Sequence, residues 1–130
     1  MHQIGDFIID DNEVVKITGI HQKNNQLDTD KHGLITPCMS NITINKEVID
    51  ACGFTLNPTS GLHVVTLNSG KLVSCKLSPS GAIKDLAICC PFQKHVGDIG
   101  VLSTLQDIIR NLTGEDLPID VQKLQDSQKF

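Results

Sequence analysis

Residues 62–90 read LHVVTLNSGKLVSCKLSPSGAIKDLAICC, and this stretch predicts a three-stranded antiparallel meander. Runs rich in β-branched residues are separated by Ser/Gly and Ser/Pro/Gly turns at 69–70 and 78–81. Pro91 ends the third strand, because proline cannot donate a hydrogen bond to a ladder. A meander with one apolar face needs helices to cover that face, so the segments around it determine the fold class.

Alternation along the three strands separates a core face from an outer face. The more apolar set is predicted to face the core and to receive a helix: His63, Val65, Leu67, Val73, Cys75, Leu77, Leu86, Ile88 and Cys90. Cys89 is predicted to point to the other face.

Three further segments have clear patterns. Residues 4–20, IGDFIIDDNEVVKITGI, predict a β-hairpin that turns at the polar residues 10–12. Asn45 is predicted to be the N-cap of a short helix that ends at Gly53, with Phe54 packing back onto that helix. The clearest helix is expected to start at about Asp98 and to end at 113–114. Its predicted apolar stripe is Ile99, Leu102, Leu105, Ile109 and Leu112, widened by Val101 and Ile108.

These segments predict an α+β fold. We expect an antiparallel sheet of about five strands, made of the hairpin plus the meander, with one short and one long amphipathic helix packed on it. Residues 1–120 form a single domain in this interpretation, and residues 121–130 form a flexible tail. The hairpin is also compatible with the opening of a small barrel of the Src-homology kind.

Composition excludes some classes of function. The chain has 130 residues and a net charge of −4, with four Phe and no Trp or Tyr. An acidic chain with so few aromatic residues is not typical of nucleic-acid binding proteins. Neither a membrane-spanning run nor a signal peptide is visible, which predicts a cytoplasmic protein whose cysteines stay reduced.

The stretch 87–95, AICCPFQKH, raises the question of a metal or redox site. Cys90 and His95 could supply two metal ligands. The cysteine spacings contain no pair of the C-x2-C kind, however, and nothing nearby supplies further ligands. Buried or free thiols are the better interpretation, and no cofactor is implied.

One pair of reactive residues is brought together by the expected turn geometry. If the loop at 68–70 pairs Leu67 with Lys71, His63 lies directly across from Cys75. A Cys/His pair is the minimum arrangement for a thiolate nucleophile. The turn at 78–81 places Lys84 opposite Cys75. Cys89 then lies several residues further along the strand, so Cys75 is predicted to be too far from Cys89 for a disulfide.

Acidic residues in the loops offer another site to weigh. Asp10, Asp11, Glu13, Asp28 and Asp30 lack the spacing of a calcium loop, so solvated charge is the better interpretation. Residues 115–116 are read as a capping or turn element after the long helix.

Three segments, in this order, carry a resemblance to a known family: IGDFII…VVKITGI, LITPCMSNITINKEVIDACGF and LQDIIRNLTGEDLPI. The chain resembles a family of short uncharacterised proteins from Bacteroidetes and their phages. Members open with a G-[DN]-[YFW] hairpin, carry a helix followed by GF, and end in a helix reading LTGE. The resemblance implies a shared fold but no activity, cofactor or catalytic residue.

The sequence therefore predicts a non-enzymatic binding or assembly module, with a phage or prophage origin suggested by the resemblance. The alternative is a small thiol-dependent enzyme that uses Cys75 with His63. An unknown protein partner or self-association as a homodimer is expected, because a meander has edges and an open face to cover.

Overall fold

The computed structural model describes residues 3–36, 40–89 and 92–128. Within these ranges the chain is an α+β domain with two antiparallel sheets and three α-helices. The α+β class predicted from the sequence is confirmed. The strands divide between two sheets, whereas the sequence pattern placed the hairpin and the meander in one.

The first sheet contains four strands in chain order: β1 (Phe7–Asp10), β2 (Glu13–His21), β3 (Gln26–Thr29) and β4 (Gly33–Ile35). The predicted hairpin is confirmed as β1–β2. Asp11 and Asn12 form its turn with φ of 50° and 61°. Positive φ at both central residues is the two-residue turn whose twist matches the flanking strands, and Asp and Asn tolerate it.

The second sheet contains five strands, again in chain order: β5 (Thr55–Asn57), β6 (Leu62–Thr66), β7 (Leu72–Leu77), β8 (Ile83–Cys89) and β9 (Gln93–Ile99). The predicted meander is confirmed as β6–β7–β8. Most of its predicted core face is buried, with Val73 and Cys75 fully inaccessible, whereas Leu77 is only partly buried and Cys90 lies outside the described residues.

The register agrees with the sequence prediction at one turn and departs from it at the other. His63 pairs with Cys75 across β6 and β7. Cys75 pairs with Leu86 on β8 instead of the predicted Lys84, because Leu77 already pairs one residue later than predicted, with Ile83, and the register shifts by one further residue between Lys76 and Leu77. An extra residue in one strand moves the pairing beyond the bulge without turning the core face outward.

The short helix is confirmed as α1 (Lys46–Ala51). The Asn45 side chain accepts a hydrogen bond from the Val48 N–H at 3.0 Å, which satisfies one of the first unpaired amides. Gly53 follows with φ of 91°, and Phe54 is buried against the helix end as predicted.

The long helix is α2 (Leu102–Thr113), which starts four residues later than predicted. Residues 93–99 belong to β9 instead, where Ile99 pairs with Ile83 at the edge of the sheet. Gly97 and Gly100 weaken a helix at this point, and the free edge of β8 offers hydrogen bonds. The predicted stripe is buried at Leu102, Leu105 and Ile109, whereas Leu112 is exposed.

Residues that the sequence placed in a tail include a third helix, α3 (Val121–Ser127). The Asp120 side chain caps it by accepting a hydrogen bond from the Lys123 N–H at 3.1 Å. Leu124 is fully buried. Two apolar residues in two turns, Val121 and Leu124, are too weak a pattern to identify a helix from sequence, and only docking on the rest of the domain reveals its role.

The main core lies between the inner face of the five-stranded sheet and the three helices. A smaller cluster inside the first sheet contains Ile8, Val15, Ile17 and Leu27. Phe7 and Val14 face the main core, so β1 and β2 are buried on both sides. Among the described helices, none is long and apolar enough to cross a membrane.

Candidate functional site

A partly buried cluster of charged side chains joins the N-terminal segment to α2. The Asp6 side chain has no exposed surface. Arg110 Nη1 lies 3.3 Å from Asp6 Oδ1 and 3.2 Å from Asp107 Oδ1, and Arg110 Nε lies 2.8 Å from Asp116 Oδ1. Three carboxylates therefore share one guanidinium.

Gly5 and Gln106 position this cluster. Gly5 has φ of 98°, and a Cβ there would lie 2.8 Å from Arg110 Nη2, so no other residue fits without displacing the guanidinium. Gln106 Oε1 accepts a hydrogen bond from the Phe7 N–H at 2.9 Å, and its Nε2 donates to the Gly5 carbonyl at 3.0 Å. The amide thus attaches α2 to the start of β1.

The sequence pattern does not predict this cluster. Asp6 lies inside the segment predicted to be a hairpin, and Gln106 and Arg110 lie outside the apolar stripe predicted for the long helix. The only signal in the sequence was the Gly-Asp pair in front of a strand. This pair does not indicate which residues it contacts about 100 positions further along the chain. The predicted turn element after the helix is present, since the Thr113 Oγ1 accepts a hydrogen bond from the Glu115 N–H at 3.1 Å.

Burial dominates the electrostatics of Asp6. It raises the pKa of this carboxyl to about 7, and a hydrogen bond and repulsion from Asp107 act in the same direction. The hydrogen bond from the Gln3 N–H and the charge of Arg110 oppose the rise in pKa. Asp6 is therefore a carboxyl that takes up a proton near neutral pH.

A cleft of about 330 Å³ adjoins the cluster, and Gly5, Lys16, Asp30, Gln106 and Asp116 are among its lining residues. Asp30 Oδ1 accepts a hydrogen bond from the Lys16 N–H at 2.9 Å, so this acid already has a backbone partner. Asp6 itself is occluded from solvent and does not line the cleft. The arrangement holds the N-terminal segment in place, and the carboxyl with the raised pKa is not presented to a ligand.

We expect Asp6 to make the stability of the protein pH-dependent. Its pKa is higher in the folded state than the ordinary 3.8, so the stability it contributes is present below pH 4 and is lost as pH rises to about 7. Chemical denaturation of Asp6→Asn should show a flatter pH profile than the wild type, with the difference reaching roughly 2–4 kcal/mol between the ends of this range. Parallel profiles would contradict the prediction.

A second cluster joins the turns of the first sheet. His32 Nδ1 lies 2.7 Å from Asp10 Oδ2, and His32 Nε2 lies 2.9 Å from Glu13 Oε1. The sequence pattern predicted that these acids are solvated charges in loops. It did not indicate His32 as their partner. Hydrogen bonds to the two carboxylates raise the pKa of His32. Its contribution to stability is therefore complete below pH 6.5 and is lost as pH rises through the folded-state pKa.

The predicted pair of Cys75 and His63 is adjacent in the sheet but lies inside the core. Both side chains are buried, and the Nδ1 atom of His63 has no hydrogen-bond partner in the described part of the chain. Burial raises the pKa of the Cys75 thiol to about 12. A thiol that stays protonated at neutral pH is a poor nucleophile.

We expect Cys75 and Cys52 to react slowly with a thiol reagent at pH 7.5. Cys52 is also buried. Burial is the larger cause that raises the pKa of its thiol to about 12, and the electrostatic effect of Cys75 acts in the same direction. Native labelling, assigned by peptide mass spectrometry, should be about 100-fold or more slower than labelling in denaturant. Rapid labelling of Cys75 that His63→Asn suppresses would instead support the thiol-dependent enzyme.

The other predicted ligand pair is only partly described. Cys90 lies outside the described residues, while His95 lies on β9 opposite Leu86. Cys89 forms a disulfide bond, so the expectation that every cysteine stays reduced is wrong for this residue. The described ranges contain no group of three or more His, Cys, Asp or Glu side chains arranged to hold a metal ion.

Comparison of the chain with protein-family models, with curated proteins and with solved structures found no match.

Proposed function

We propose that this domain is a non-enzymatic binding or assembly module that engages a protein partner through the outer face of its five-stranded sheet. The observation that carries the proposal is the exposure of apolar side chains at that face. Leu72 is 45% exposed there, and Phe92 is 71% exposed at the same end of the sheet. Grouped apolar exposure of this kind marks interaction sites more often than single exposed residues do.

The pairing of strands makes this surface continuous. Val64 lies beside Ser74, which lies beside Ala87, so one row of small or β-branched side chains crosses three strands. Leu72 extends the surface in the next row, where it pairs with Thr66 and Cys89. Small side chains in flat rows allow a partner to approach closely, as in sheet-mediated interfaces.

The chemistry of the interior supports a binding role over the thiol-dependent alternative. Cys75 is fully buried with a pKa of about 12, and Asp6 is occluded. Each of the groups with strongly raised pKa values thus lies away from a surface that a substrate could reach.

Photo-crosslinking tests the proposed surface. A photoreactive amino acid is placed at position 72, and Leu34 serves as the matched control because it is a leucine of similar exposure, 53%, on the edge strand of the other sheet. In a lysate of the source cells, the photoreactive residue at position 72 should crosslink to one discrete protein. A separate bait, the Leu72→Glu variant, should no longer retain that protein in a pull-down. Equal capture from positions 72 and 34 would contradict the proposal, as would a turnover activity abolished by His63→Asn.

Two broader predictions accompany this proposal. The resemblance suggests a phage or prophage setting, which genes adjacent to the coding sequence would test. The cytoplasmic location stays a prediction. The disulfide at Cys89 argues against it, because disulfides persist mainly in oxidising compartments.

A further inference from the structure

We propose that copies of this chain associate head to tail, with the basic outer face of the five-stranded sheet of one copy docked on the acidic α1–α3 face of the next. This inference rests on the proposed assembly function and names its partner. It is carried by the opposite charge of two faces that lie on opposite sides of one core.

The sheet face is the basic surface. Lys76, Lys84 and Lys94 are exposed on β7, β8 and β9. Each of them is next in its strand to a residue that either faces the core or pairs with a core-facing residue of the neighbouring strand. Asp85, which pairs with Lys76, and the exposed Asp98 of β9 are the acids of this sheet. The three ammonium groups thus flank the apolar row that includes Ala87, which pairs with Lys94.

The helix face is the acidic surface. Glu47 and Asp50 on α1 and Asp126 on α3 are exposed and line one groove of about 340 Å³ between the two helices. Asp120, also exposed, caps α3 beside them. Lys123 lines the same groove and the exposed Lys46 begins α1, so the four acids of the two helices outnumber the two lysines.

The whole chain follows the same division of charge. Residues 53–100, which include the five-stranded sheet, carry four Lys and two Asp, whereas the rest of the chain carries seven Lys or Arg and thirteen Asp or Glu. A basic sheet segment in a chain of net charge −4 is therefore a local feature. Opposite potentials on two surfaces steer association and set its register.

The two faces point in opposite directions. Val48 and Ile49 of α1 are buried in the same core as Val73 and Cys75 of the sheet, so the remaining faces of helix and sheet look away from each other. One copy cannot satisfy both faces internally. A contact between two different faces repeats from copy to copy, which gives rings or filaments instead of a closed two-fold dimer.

Sedimentation velocity and light scattering on the full chain test this inference. At about 20 mM salt the wild type should associate as its concentration rises, and at about 500 mM salt, where charges are screened within a few ångströms, association should weaken by about 10-fold or more. Lys76→Glu/Lys84→Glu/Lys94→Glu should be monomeric at both salt concentrations. Lys23→Glu, an exposed change in the Gln22–Asn24 turn, is the control and should associate like the wild type.

A charge swap makes the test specific for the two faces. Glu47→Lys/Asp50→Lys/Asp126→Lys should also be monomeric alone. Mixing it with the sheet variant should restore association, because each then meets a face of opposite charge, and so should combining both sets of changes in one chain. Circular dichroism confirms that each variant is folded.

Three outcomes would overturn the inference. These are a wild type that stays monomeric at low salt, association that survives reversal of the sheet lysines, and a mixture that does not associate. A wild-type monomer that shifts with a single-stranded oligonucleotide, lost in the sheet variant, would assign the basic face to nucleic acid instead. If the wild type is monomeric but position 72 still crosslinks a discrete protein, the head-to-tail inference fails while the proposed function stands.

Discussion

Arg110→Met is expected to lower the free energy of unfolding by about 3 kcal/mol at pH 8, because it leaves Asp6 charged and buried without its cation. The Arg110 side chain is only about one-fifth exposed and Asp6 is fully inaccessible, so solvent screens this pair little. At pH 5 Asp6 is already protonated in the wild type, so the loss should be smaller by about 1 kcal/mol, the free energy that corresponds to one unit between its pKa and pH 8. Urea denaturation at the two pH values measures both numbers.

The double variant Arg110→Met/Asp6→Asn is the control for this prediction. It removes the buried charge together with its partner, so its loss of stability relative to Asp6→Asn should be the same at pH 5 and at pH 8. A loss of equal size at both pH values in the single variant would show that Arg110 acts through packing of its aliphatic stem instead of its charge.

Leu124→Ala is expected to lower the free energy of unfolding by about 2–4 kcal/mol, the range for truncating a fully buried leucine. Leu124 is the buried residue of α3, and two hydrogen bonds place the helix around it. The Asp120 N–H donates to the Ala51 carbonyl at 2.8 Å, and the Val14 N–H donates to Gln125 Oε1 at 2.6 Å. α3 is therefore part of the folded domain.

Gln122→Ala provides the matched control, because Gln122 is an exposed residue of the same helix. Its effect should stay within about 0.5 kcal/mol. If residues 121–130 were the flexible tail that the sequence predicted, the two substitutions would have the same negligible effect in thermal and urea denaturation.

The elements that were predictable from sequence are those whose signals are local. The meander follows from the alternation around Val73 and Cys75 and from short turns, and the pairing of His63 with Cys75 follows from the length of one loop. The helix that begins after Asn45 has its cap within three residues of its first amides. Each of these features is set by residues close in the chain.

The features that were missed depend on partners far along the chain. β9 became a strand because the edge of β8 was available to pair with Ile99, which outweighed a helix-like apolar spacing. The Gln106 amide bonds to the Phe7 N–H across 99 positions, and nothing in its neighbours distinguishes it from a solvated glutamine. Tertiary context overrides local propensity in these places.

By itself, the sequence determined the α+β class, the hairpin, the meander with its core face, and the first helix, because periodicity and capping act over a few residues. Only the tertiary structure decided that the strands form two sheets, that Asp6 is buried beside Arg110, and that the lysines of the outer sheet face lie opposite the acids of α1 and α3. Burial and the field of neighbouring charges are properties of the packed chain, so the proton affinity of Asp6 and the polarity of the two faces exist only once the helices have docked on the sheet.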